Sequence, residues 1–189
     1  MKTIRTHYDA LSRALHWLTA IAVLIAFILG PEHFGREMRQ GLDPATRLDI
    51  VAHESLGVLV MALTLLRLLW VAVRPAKPQF EMTRWMHITA QATHGLLWLL
   101  LLAVPFSAFL ALASAGHPLT LLGGVRVNEM PLIAQSSLAH LAHLADWGDV
   151  HGVLGDMVLW LAGLHAVAAI FHHVLLKDGV LLSMLRPRR

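Results

Sequence analysis

The chain has 189 residues, of which 57% are hydrophobic and only 14% charged, whereas an ordinary soluble domain carries roughly 25% charged residues. This composition points to a bilayer-embedded protein, and the length suits one compact domain spanning 1–189. The net charge is only +3 and no cysteine is present, which excludes disulfides, iron–sulfur clusters, cysteine-type structural zinc and haem attached covalently through C-x-x-C-H.

Four long apolar runs follow one another: Leu15–Gly30, Val51–Val73, Ala92–Ala115 and Val150–Leu176. Each approaches the ~20 residues that cross a bilayer as a helix. With their amphipathic flanks they predict helices over 8–30, 48–73, 87–115 and 148–176. The fold expected is therefore all-α, an integral membrane four-helix bundle. The first run lacks a small-residue cleavage site and contains His16-Trp17, so it reads as a retained span and not as a signal peptide. The last loop, Gly116–Asp149, contains Pro118, Gly123-Gly124 and Pro131. It is expected to hold a short surface helix over Ser136–Asp146.

Basic residues set the expected orientation. The N-terminal segment, the second loop and the tail together carry eleven Lys and Arg. The other two loops carry four, Arg36, Arg39, Arg47 and Arg126. The positive-inside rule then puts both termini in the cytoplasm.

Thirteen histidines are unusual in so apolar a chain. His16, His53, His151 and His165 lie inside the runs, where an imidazole without a partner is costly. Taken singly, each has an ordinary alternative role as a hydrogen bond to a neighbouring helix. Depth distinguishes the two roles. The first helix starts inside, so His16 lies near the inner face. The second and fourth start outside, so His53 and His151 lie near the outer face. His165 follows His151 by fourteen residues, about 21 Å deeper and nearly four whole turns on. The heights therefore pair His16 with His165 and His53 with His151. Two bis-histidine sites about 20 Å apart, stacked across the membrane, suit two non-covalent haem b groups in an electron path.

Gly57 lies one turn after His53, and Gly152, Gly155 and Gly163 lie on the fourth helix. They either admit a flat macrocycle or serve helix packing. Arg13, Arg67 and Arg74 inside, and Arg47 or Arg126 outside, either pair with haem propionates or simply set topology. Asp156 is expected to face the interior. The pair His140-x-x-His143 has metal-ligand spacing but no third ligand, so it reads as a solvated or haem-covering loop.

The motifs Arg13-x-x-His16-Trp17, His53-x-x-x-Gly57, Arg67-Leu-Leu-Trp70 with Arg74-Pro75, and His94 with Pro105 extend this pattern. So do His151-Gly-Val-Leu, Gly163-Leu-His165-Ala, His172-His173 and Lys177-Asp178. Over nearly its whole length the chain resembles the bacterial cytochrome b561 family. It differs in carrying Gly152 after His151, where many relatives have Glu. It also displaces the first of two third-helix histidines to His87, leaving His94 at the matching position.

The resemblance implies two haem b groups on the same four axial ligands, and a quinone such as ubiquinone as redox partner. Some members resemble superoxide oxidases, which pass an electron from superoxide to ubiquinone. His172 and Arg13 are the candidate quinone-site residues, and His94 and Arg74 are candidate haem contacts. The expected function is electron exchange between a quinone and superoxide or another redox partner in the bacterial inner membrane, among lipid and without nucleic acid. Two rivals are a cytochrome anchor subunit of a hydrogenase or dehydrogenase, and a histidine-lined proton or metal transporter. The transporter would need several intramembrane carboxylates, and only Asp156 and Glu54 qualify.

Overall fold

The computed structural model describes residues 7–30, 40–74, 78–127, 129, 141 and 144–185. Four helices in it are long and apolar enough to cross a membrane. They are α1 (Ala10–Leu29), α2 (Leu48–Val73), α3 (Arg84–Ser114) and α4 (Trp147–Phe171). A π-turn over His172–Leu176 extends α4, and a short α5 (Val180–Leu185) closes the described chain.

Local chemistry fixes the ends. Asp9 caps α1 by accepting the Ser12 N–H at 2.8 Å, and Asp146 caps α4 by accepting from Gly148 and Asp149. α2 stops at Arg74, whose extended backbone follows from the proline next to it in sequence. α3 begins at Arg84, three residues before the expected His87, and carries Pro105 in its interior.

The helices form two hairpins. α1 packs along α2 and α3 along α4, while α2 and α3 join the hairpins through a smaller contact. The surfaces buried between helices are rich in small and hydroxyl side chains, including Ser12, Ala22, Thr64 and Ser107, which let backbones approach in lipid. Thr19 and Ser107 satisfy their hydroxyls on their own helix, at Leu15 O and Val104 O. Large apolar side chains such as Ile28, Leu69 and Trp160 point outward instead, the arrangement expected when the solvent is lipid tail.

The end that bears both termini is tied together by polar contacts. Asp9 accepts from Trp70 Nε1 at 3.1 Å, and Arg74 donates to Ser12 Oγ at 3.3 Å. After the π-turn the chain reverses through Lys177 (φ 52°) and Gly179 (φ 78°). This lays α5 across the start of α1, where Tyr8 N–H donates to Ser183 O and Trp17 Nε1 to Met184 O. At the opposite end, 119–127 forms a tight hairpin turned by Gly123 (φ 95°) and Gly124 (φ 81°). Two residues next to His53 pin it to α2. Glu54 Oε2 accepts the Thr120 N–H at 2.7 Å, and Ser55 Oγ accepts the Leu122 N–H at 2.8 Å.

Candidate haem-binding site

The hairpins bring the four histidines of the spans together in two pairs. His16 on α1 faces His165 on α4, with ring centroids 6.3 Å apart and planes at 76°. His53 on α2 faces His151 on α4 at 6.0 Å and 84°. A metal held between two imidazoles takes about 2 Å to each nitrogen and about 1.1 Å more to each ring centre, or about 6.2 Å between centres. Both gaps match that spacing. Among the described residues no group of three or more His, Asp or Glu converges as a metal site. Each pair thus offers two imidazoles at a spacing that fits a metal whose other positions are filled by a planar ring.

The backbone fixes the tautomer of the second pair. His53 Nδ1 donates to Ala26 O at 2.7 Å. That carbonyl lies in the last turn of α1, where orphan acceptors are expected, and the Gly30 N–H bonds Phe27 O instead of Ala26 O. His151 Nδ1 donates to Val104 O at 2.9 Å, with Ser107 Oγ 3.3 Å away. With Nδ1 protonated on both rings, each Nε2 keeps its lone pair for a metal.

Space for a flat group is present. A Cβ added at Gly57, Gly152, Gly155 or Gly163 would meet nothing within 4 Å. These glycines therefore do not serve close packing between the helices, and a macrocycle could lie over them without displacing a neighbour. Gly30 is different, because a Cβ there would stand 3.4 Å from the His53 ring.

The remaining candidates divide between the two ends. His94 on α3 lies with its ring 5.2 Å from His165. Arg67 stacks over Trp98 at 5.0 Å and Arg74 over Tyr8 at 5.4 Å, close to the terminus-bearing end. Arg13 lies in the first turn of α1, one turn past Asp9. His172 is half-buried, and its Nδ1 is bonded to Asp178 Oδ2. Asp178 Oδ1 also accepts the Val180 N–H at 3.1 Å, so one carboxylate holds both the imidazole and the start of α5. The expected inward direction of Asp156 is corrected. It is exposed and shares a recess with Val153, Met157 and Trp160, on the face of α4 opposite the imidazoles. Five residues past His151 is about 140° around a helix, not a return to the same face. His140, His143 and most of the expected Ser136–Asp146 helix lie outside the described residues.

Sequence reading missed the carbonyls of Ala26 and Val104, which no residue type announces. It also missed the clamps made by Glu54 and Asp178. Asp178 could have been found as an N-cap, since it is followed by glycine and an apolar run.

A family model for prokaryotic cytochrome b561 matches residues 7–187. The chain is 33% identical to cytochrome b561 homolog 2 of Escherichia coli (strain K12), over 94% of this chain and 90% of that protein. It is 31% identical to cytochrome b562 of Cereibacter sphaeroides, over 96% of each. It is 29% identical to a probable superoxide oxidase CybB of Yersinia pestis, over 96% of this chain and 97% of that one. With its four apolar helices, the chain belongs to the prokaryotic cytochrome b561 family of bacterial membrane electron-transfer proteins that bind haem b.

Proposed function

We propose that the chain carries two haem b groups, one on His16 and His165 and one on His53 and His151, and moves electrons between a quinone and a second partner. The observation that carries this reading is the pair of imidazole gaps, 6.3 and 6.0 Å, each the width of a two-coordinated metal. Haem held there would supply one-electron chemistry. The protein's own part is to orient the rings. Ala26 and Val104 hold the Nδ1 protons, and the lipid-covered helices keep water from the imidazoles. His94 beside the first pair, and Arg74 near the same end, are the candidates to receive the haem carboxylates.

Quinone exchange is assigned to the terminus-bearing end, with His172 and Arg13 as the residues that meet the quinone. His172, steadied through Nδ1 by Asp178, presents Nε2 to bond a quinone oxygen or exchange its proton. Ubiquinone is the quinone the reading favours. Superoxide is the favoured second partner, supported by the name of the Yersinia pestis relative. The basic tail and second loop support an inner-membrane orientation with both termini cytoplasmic.

The test uses the full chain purified in detergent. A reduced-minus-oxidised spectrum and pyridine haemochrome assay should count two haem b per chain. Ubiquinol should reduce the oxidised protein, and a superoxide source should do so with ubiquinone as final acceptor. One haem per chain, or none, would overturn the two-site reading. Failure of ubiquinol to reduce a two-haem protein would overturn only the quinone assignment.

A further inference from the structure

Asp156 is the only Asp, Glu, Lys or Arg in α4 between Asp149 and Lys177. It lies five residues after His151 and nine before His165, about 7.5 and 13.5 Å along the axis, between the two imidazole levels. It lies about 140° around the helix from one ligand and about 180° from the other, so it faces away from both. It makes no hydrogen bond or ion pair with any described residue. It shares a recess of about 390 Å³ with Leu96 and Leu100 of α3 and Val153, Met157 and Trp160 of α4. The other acid set well inside a span, Glu54, is buried and bonded to Thr120. Among the described residues, Asp156 alone projects a carboxyl into an apolar groove at membrane depth. Ionisable side chains at such depth are costly and normally pair with another polar group.

We infer that this α3/α4 groove is the docking surface for a transmembrane helix of a partner protein that carries a cationic side chain at the depth of Asp156. Charge complementarity selects that occupant over a second copy. A two-fold contact uses the same patch on both subunits, so a second copy would have to bring a cation of its own to the carboxyl. This chain's described spans carry no Lys, and Arg67, the Arg set deepest in them, is turned against Trp98. The groove supplies apolar walls for packing, and the carboxyl supplies the polar contact that selects the partner.

The experiment places the haem-loaded full chain, labelled with a fluorescence donor on its tail, in phosphatidylcholine vesicles. Acceptor-labelled synthetic transmembrane helices of leucine are added, differing only in a central Leu or Lys. The Lys helix should associate about tenfold more strongly than the Leu helix, the ratio expected of one intramembrane polar contact. Asp156→Leu should abolish that preference, and Leu96→Trp, which narrows the recess from an exposed position and leaves the carboxyl, should weaken it. Both variants should keep the wild-type haem spectrum, since the groove lies opposite the imidazoles. Equal association of the two helices with the wild type, or a Lys preference that survives Asp156→Leu, would overturn the inference. So would self-association of donor- and acceptor-labelled copies that depends on Asp156, which would give the groove to a second copy.

Discussion

If the imidazoles clamp metal in the observed pairs, haem loss in double variants must follow the pairs and not the number of histidines removed. The wild type should hold two low-spin haems per chain. His53→Ala should leave one, and adding His151→Ala should still leave one, because both ligate the same group. His53→Ala with His165→Ala should leave none. His94 is the obvious candidate to rescue His16→Ala, because its ring already lies beside His165. The geometry predicts that it fails. The His94–His165 rings are 5.2 Å apart, about 1 Å short of the roughly 6.2 Å that two imidazoles need around one metal. Opening the pair to that width would require α3 to move relative to α4, the helix it packs along. Low-spin haem per chain, read by optical and electron paramagnetic resonance spectra against a haemochrome total, decides the matter. Complete haem loss in His53→Ala/His151→Ala, or a full second low-spin signal in His16→Ala, would refute the pairing.

Gly57→Leu should lower haem occupancy at the His53 pair while leaving helix content by circular dichroism unchanged, since a Cβ there meets no protein atom. Glu54→Leu strands the Thr120 N–H and should cost about 1–3 kcal/mol, seen as faster hydrogen exchange in the 119–127 hairpin. Glu54→Gln, which still offers an acceptor, should not. Asp178→Ala removes both the His172 contact and the first-turn acceptor of α5. It should cost about 1 kcal/mol and slow reduction by ubiquinol without changing the haem count. Burial pushes the Asp9 carboxyl up, but hydrogen bonds from Ser12 and Trp70 outweigh it and hold the pKa below its usual value of 3.8. A depressed carboxylate stabilises the fold above its unfolded pKa, and the gain is lost as pH falls through the folded one. Thermal stability should therefore decline below about pH 4, and Asp9→Asn should flatten that decline.

The architecture was legible because the bilayer imposes it. Runs such as Val51–Val73 are long enough to span and carry almost no charge, so helix count and order follow from hydropathy alone. The depths of His16, His53, His151 and His165 were legible for a similar reason. A continuous helix converts sequence separation into height at a fixed rise, and fourteen residues keep His151 and His165 on one face. What was hidden depends on backbone atoms and on chain reversals. The acceptors that orient His53 and His151 are carbonyls of Ala26 and Val104, whose side chains say nothing about them. The His172–Asp178 contact exists because a π-turn and two positive-φ residues, Lys177 and Gly179, fold the chain back on itself. Straight-helix arithmetic cannot produce that reversal.

Asp156 shows how the same arithmetic misleads when its phase is ignored. Depth alone puts this carboxyl between the imidazole pairs, where an acid suggests proton traffic alongside electron flow. The 100° step per residue puts it on the opposite face, and the structure agrees, setting it among Leu96, Leu100 and Trp160. A carboxyl placed there is remote from the imidazoles on the far side of the helix, and it opposes insertion of an isolated chain into lipid. The two faces of α4 thus have separate chemistry, imidazoles toward the opposite hairpin and a carboxyl toward the membrane. Asp156→Leu should therefore change association in the vesicle assay while leaving both low-spin haem signals unaltered. A loss of either signal in that variant would mean that the faces are coupled and that the division drawn here is wrong.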